Sequence, residues 1–197
     1  MAVAHLTARD VALAFQAAQA RRARAAANRV QDLWRQLDPG DLSRSWQIWV
    51  GPQVVNTVTA AQLASAAAAD EYVDAMVSAE GADPDRAGRT RAEAFAGVAA
   101  DGRSLDDLLH LPIITSKMRI AGGMDVEEAL MSGLRQALML SSSEVTQAGR
   151  GAVGSSMAGQ RTIQGYVRVV NPPACSRCIL LAGKEYGWNA GFQRHPR

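Results

Sequence analysis

At 197 residues, the chain is long enough to bury a core of ordinary domain size. Charged side chains break its 48% hydrophobic content so often that no apolar run can cross a bilayer, and the stretch from Ala2 to Ala20, interrupted by His5, Arg9, Asp10 and two glutamines, does not read as a secretory leader. With neither a span nor a leader in that reading, a soluble protein made in a reducing cytoplasm is expected, and its net charge is a small +2.

That small net charge conceals an asymmetry. Residues 1–36 carry six arginines against Asp10 and Asp32, a net +4; residues 150–197 carry seven basic groups against Glu185, a net +6; the middle, 37–149, is net −8. Basic ends flanking an acidic middle either meet a polyanion, DNA or an acidic protein surface, or serve as solvated helix faces.

The predicted elements are mostly helical. Thr7 through Asp10 offers a capping arrangement, and Val11, Phe15, Ala18, Val30, Leu33, Trp34 and Leu37 recur at helical spacings, predicting a long helix over 8–36 that Asp38-Pro39-Gly40 stops. Trp46 and Trp49 then share a face, which reads as a core or oligomer contact before a base-stacking platform. Gly51-Pro52 is expected to break or kink the chain, and a second long helix follows over 52–79. Residues 81–88 form a loop by composition. Thr90 with Glu93 predicts a short capped helix ending near 101–102, and Ser104 with Asp107 starts another that Pro112 limits, with 112–121 helical beyond it. His110, in the run Leu108-Leu-His-Leu-Pro, reads as a partly buried core histidine. Asp125 followed by Glu128 is the clearest cap and opens a helix reaching Ser143 or Gln160; four glycines over 149–159 make its far end either frayed or a close packing face.

Alternation returns at 166–170, a predicted strand; Asn171-Pro172-Pro173 turns the chain, and 179–181 is a predicted return strand. Two units follow: 1–160, a helical body and interaction arm, and 161–197, a strand-turn module. A module of about thirty residues cannot hold itself by burial alone and needs a staple or a partner.

Both cysteines lie in that module. Cys175 and Cys178 enclose too short a loop to brace a fold as a disulfide, which leaves metal ligation, redox chemistry or a dithiol in a tight turn. Their spacing suits zinc, and His195 is a reasonable third ligand, with a fourth missing from the chain. Structural zinc contributes about 10–16 kcal/mol of apparent binding energy in small peptides, ample to order such a module.

The run from Tyr166 through Val170 and Asn171-Pro-Pro-Ala-Cys175-Ser-Arg-Cys178, then Ala182-Gly183-Lys184 and Phe192-Gln-Arg-His195-Pro196, resembles the C-terminal signature of the Mu F-like minor head proteins of tailed bacteriophages. That pattern has a Cys-x-x-Cys after a strand, a glycine turn within a second strand, and a late His-Pro followed by Cys-x-Cys. The resemblance covers about the last thirty residues and implies further cysteines beyond Arg197.

The resemblance is compatible with the fold that the residues themselves predict, a mainly α, elongated body of long helices with a small C-terminal α+β module, a β-hairpin of zinc-knuckle type with Cys175, Cys178 and His195 as candidate metal ligands. It implies a minor capsid protein, not an enzyme, present in several copies near the portal. Expected partners are the portal protein, the major capsid protein and packaged double-stranded DNA, with no membrane in the mature particle. The expected location is the capsid interior, reached from the host cytoplasm during assembly. Two rivals are a maturation protease, for which Ser141 to Ser143, Ser155 and Ser156 are the candidate nucleophiles, and a zinc-dependent DNA-binding protein, favoured by Arg161, Arg168, Arg177, Arg194 and Arg197.

Overall fold

The computed structural model describes residues 7–170 and 173–187. Among them the chain is mainly helical, with one small antiparallel sheet near its C-terminal side. Helix α1 (Ala8–Trp34) starts on a complete capping box: Thr7 Oγ1 accepts from the Asp10 backbone N–H, and the Asp10 carboxylate accepts from that of Thr7. Helix α2 (Leu42–Ser45) follows the stop at Asp38-Pro39-Gly40.

Of the break or kink expected at Gly51-Pro52, the break does not occur. A π turn over Trp46–Val50 leads from α2 directly into α3 (Gly51–Ala67), and Gly51 N–H bonds to Trp46 O in the wider ring. Proline then sits in the first turn of α3, the helical position that best tolerates its missing donor. Only glycine fits before it, since a Cβ at position 51 would stand 2.8 Å from both the Trp46 carbonyl and its indole nitrogen.

The single helix expected over 52–79 is two, α3 and α4 (Ala69–Ala79), separated where Ala68 relaxes to ψ −2°. Beyond the bend, Tyr72 stacks on Phe15 of α1 with ring centroids 4.0 Å apart. The capped helix expected from Thr90 is also absent. Thr90 N–H bonds instead to the Asp70 carboxylate at 3.1 Å, leaving only a 3-10 turn at Ala92–Phe95. A side chain distant in sequence has taken the donor that a cap would use.

Pro112 does not limit its helix either. Helix α5 (Leu105–Ala121) runs from the Ser104 cap straight through it. Ser116 Oγ lies 3.0 Å from Pro112 O and 3.2 Å from Ala129 O, tying α5 to α6 (Val126–Ala158). Asp125 caps α6 twice, accepting from the N–H groups of Glu127 and Glu128.

Helix α6 is the centre of the body. Its 33 residues, about 50 Å of helix, pack against α1, α3, α4 and α5. It reaches the longer of its two expected ends, and its late glycines are a packing face. A Cβ on Gly149 would come within 2.8 Å of the Gln19 side chain, which itself donates to Ser65 O and accepts from Ser65 Oγ. The main core gathers Val30, Leu33, Val50, Val58, Leu109 and Ile113 among others from α1, the π turn, α3 and α5. A second cluster around Ala66, Val73, Ala152 and Met157 lies towards the module, and Ile163 and Tyr166 pack on it. No described helix is long and apolar enough to cross a membrane.

Candidate thiol and cationic site on the C-terminal hairpin

The module leaves the body through a polar clamp. Arg86, whose side chain is 12% exposed, donates to the carboxylates of Asp70 and Asp74 and to Ser156 Oγ. Asp70 also receives Ser156 Oγ at 2.8 Å and Thr90 N–H. Burial pushes its carboxyl up, but the hydrogen bonds from Ser156 and Thr90 and the Arg86 charge outweigh that and hold it below the usual carboxylate range. Ala87 N–H bonds to Gly159 O at 2.8 Å and Arg161 N–H to Asp85 O at 2.9 Å, so the loop before the 3-10 turn grips the end of α6. Gln160 completes the grip through Asp85 N–H and Asp74.

From that root the chain enters β1 (Gly165–Val167), which pairs antiparallel with β2 (Glu185–Gly187). Tyr166 lies opposite Tyr186, and their rings stack with centroids 5.3 Å apart. Arg168 Cζ and Lys184 Nζ each sit 5.8 Å from the centre of the Tyr186 ring. Burial first, and the neighbouring Tyr186, raise the Tyr166 phenol, with Arg168 pulling the other way. The predicted strand over 166–170 is therefore shorter and one residue earlier. The predicted return strand over 179–181 is wrong: Ile179 and Leu180 end a helical turn, α7 (Ser176–Leu180), Leu181 begins the turn that follows, and the return strand comes after Gly183, which has φ +73°.

That helical turn sets the thiols. Ile179 N–H closes on Cys175 O at 3.0 Å, Cys178 N–H points at Cys175 Sγ at 3.3 Å, and the two Sγ atoms lie 3.0 Å apart. A single turn thus brings both sulfurs side by side, closer than the roughly 3.8 Å at which two thiolates sit on a tetrahedral zinc with bonds of about 2.3 Å. Among the described residues no group of three or more His, Cys, Asp or Glu surrounds a common point. His195, Trp188, Arg194, Arg197 and the Asn171-Pro172 turn lie outside the described residues. Next to the thiols, Ile179 and Leu180 are 60% and 83% exposed.

The other sequence candidates are distributed over the body. Arg9, Arg21, Arg24 and Arg29 are exposed on α1, and Arg35, which caps its end, is exposed in a surface pair with Asp32, while Arg22 is half-buried. The two tryptophans part company. Trp46 is buried, packed edge-on against Trp34 and stacked on a half-buried His110 at 6.0 Å, whereas Trp49 is 60% exposed with its indole N–H on Gln36 Oε1. Of the serines, Ser141 is fully buried and Ser156 is committed to Asp70 and Arg86.

Sequence reasoning missed the Arg86 clamp. Its partners stand 12, 16 and 70 positions away, so no local pattern carries them. No family model, curated protein or solved structure matches the chain.

Proposed function

We propose that the chain is a minor capsid protein of a tailed phage, of the Mu F-like head-protein kind, acting at the portal and inner capsid surface during head assembly. The observation that carries this reading is the order of parts in the hairpin: strand, Cys-x-x-Cys, glycine turn, second strand. Strand, Cys-x-x-Cys and second strand follow the order of the family signature, with the glycine turn just before the second strand where the signature has it within, and they follow a helical body that offers long faces for contact. The elongated arm, the zinc-knuckle character of the hairpin and the virion interior as its location belong to the same proposal.

Within this reading, Cys175 and Cys178 supply two thiolates and His195 a third ligand to zinc, which orders the hairpin. The exposed arginines of α1, with Arg168 and Lys184 on the hairpin, contact packaged DNA or acidic faces of the portal and major capsid proteins. Such contacts go to phosphate, so DNA affinity falls steeply with salt and shows little sequence preference. The hairpin arrangement favours this over a sequence-reading regulator, because α7 spans only five residues and is too short to serve as a recognition helix.

Quantitative mass spectrometry of purified particles from the source tests the proposal. Peptides of this chain at low copy number relative to the major capsid protein are expected. Peptides abundant in infected cells and absent from particles would overturn it.

A further inference from the structure

The sulfurs of Cys175 and Cys178 stand 3.0 Å apart, roughly an ångström beyond the ~2.05 Å bond of a disulfide. The backbone between them is already bent for closure, with Ile179 N–H on Cys175 O and Cys178 N–H directed at Cys175 Sγ. Cys175 is exposed and Cys178 partly so. A small reagent therefore reaches the first sulfur directly, and the second stands beside it at 3.0 Å.

We propose that Cys175 and Cys178 form a redox-active dithiol whose reaction partners are low-molecular-weight disulfides of the glutathione class. The Cys175 thiolate attacks one sulfur of the small disulfide, breaking its S–S bond, releasing one small thiolate and leaving a mixed disulfide on Cys175. The Cys178 thiolate then attacks Cys175 Sγ, forming the intramolecular bond and expelling the second small thiolate. The protein gives up two electrons and two protons, the small disulfide takes up both electrons, and two small thiols result. Reduced small thiols run the same steps backwards.

The enclosed loop is too short to remove much entropy from the unfolded chain, so closure adds little to stability and its consequence is chemical. The oxidised pair presents no thiolate to a metal, so zinc loading and oxidation exclude one another. The couple stands on the geometry of the turn and is independent of the capsid reading.

The test uses the full chain, stripped of metal with a chelator and equilibrated with mixtures of reduced and oxidised glutathione. Samples are acid-quenched, alkylated and weighed intact. The expected product is a chain alkylated at neither cysteine and carrying no glutathione, its share set by the ratio of oxidised glutathione to the square of the reduced form. In Cys178→Ser, a stable glutathione adduct on Cys175 is expected instead, because the resolving sulfur is gone. A wild-type chain that stays doubly alkylated at every ratio, or that ends as a glutathione adduct without closing the ring, overturns the proposal. So does a Cys178→Ser chain that takes up no glutathione.

Discussion

The body and the hairpin of this chain are held by different physics. In the body, side chains from several helices close over an apolar core, and buried polar groups hold the connecting loops: Gln62 takes Gly97 N–H and gives to Val98 O, while Glu144 takes Ala100 N–H. In the hairpin, two strands of three residues share one tyrosine stack, two cations over a ring and a pair of thiols. A two-stranded hairpin of this size is marginal in water. The difference teaches that burial accounts for the body, while the hairpin depends on its root and its tyrosine stack and, on the zinc reading proposed above, on a metal between its thiols.

The largest expected effect falls on the joint between the two regions. Arg86→Ala leaves the Asp70 and Asp74 carboxylates without their buried cation and should cost about 3–5 kcal/mol in urea unfolding. It should also loosen the hairpin, whose root the clamp holds; loss of body stability with the hairpin undisturbed would separate the two. Leu109→Ala, in a fully buried position, should cost about 2–4 kcal/mol of body stability and leave the reactivity of the thiols unchanged.

Acid should strike the same joint. Asp70 is held below its ordinary value when folded, so its contribution is complete above the unfolded carboxylate range and is lost as pH falls through the folded value. Urea midpoints from neutral pH into the acid range should fall less steeply for Asp70→Asn than for the wild type, and equal slopes would remove Asp70 from the account of acid sensitivity. The smallest effect belongs to the hairpin itself. Tyr186→Ala removes the stack on Tyr166 and should open the hairpin by about 1 kcal/mol, read as faster amide exchange over 165–187 with the body's unfolding midpoint unchanged.

Much of the body was legible in the sequence, because caps and helical periodicity are local signals. Thr7, Ser104 and Asp125 each mark a helix start that the structure keeps. The errors fall where distant groups override local ones. Thr90 loses its cap to Asp70, Pro112 sits inside a helix held by its packing on α6, and a π turn absorbs Gly51-Pro52. Ala68 breaks a helix in an alanine-rich stretch that carries no side chain to mark it.

At the candidate site, the thiol pair and the hairpin were visible as a Cys-x-x-Cys beside alternating residues. The return strand was misplaced because Ile179-Leu180-Leu181 is apolar enough for a strand but too close to the cysteines, whose turn is helical. Nothing in the sequence marked the Tyr166–Tyr186 register or the two cations over that ring, since both depend on where the chain folds back.

Native-state hydrogen exchange on the full chain, with and without one equivalent of zinc, bears most directly on the division between a self-sufficient body and a dependent hairpin. Expected are core amides of α1, α3, α5 and α6 that exchange only through global unfolding and do not respond to zinc, and amides over 165–187 that open at lower free energy and gain protection when zinc is added. Hairpin amides that exchange only with the core, with or without metal, would contradict it.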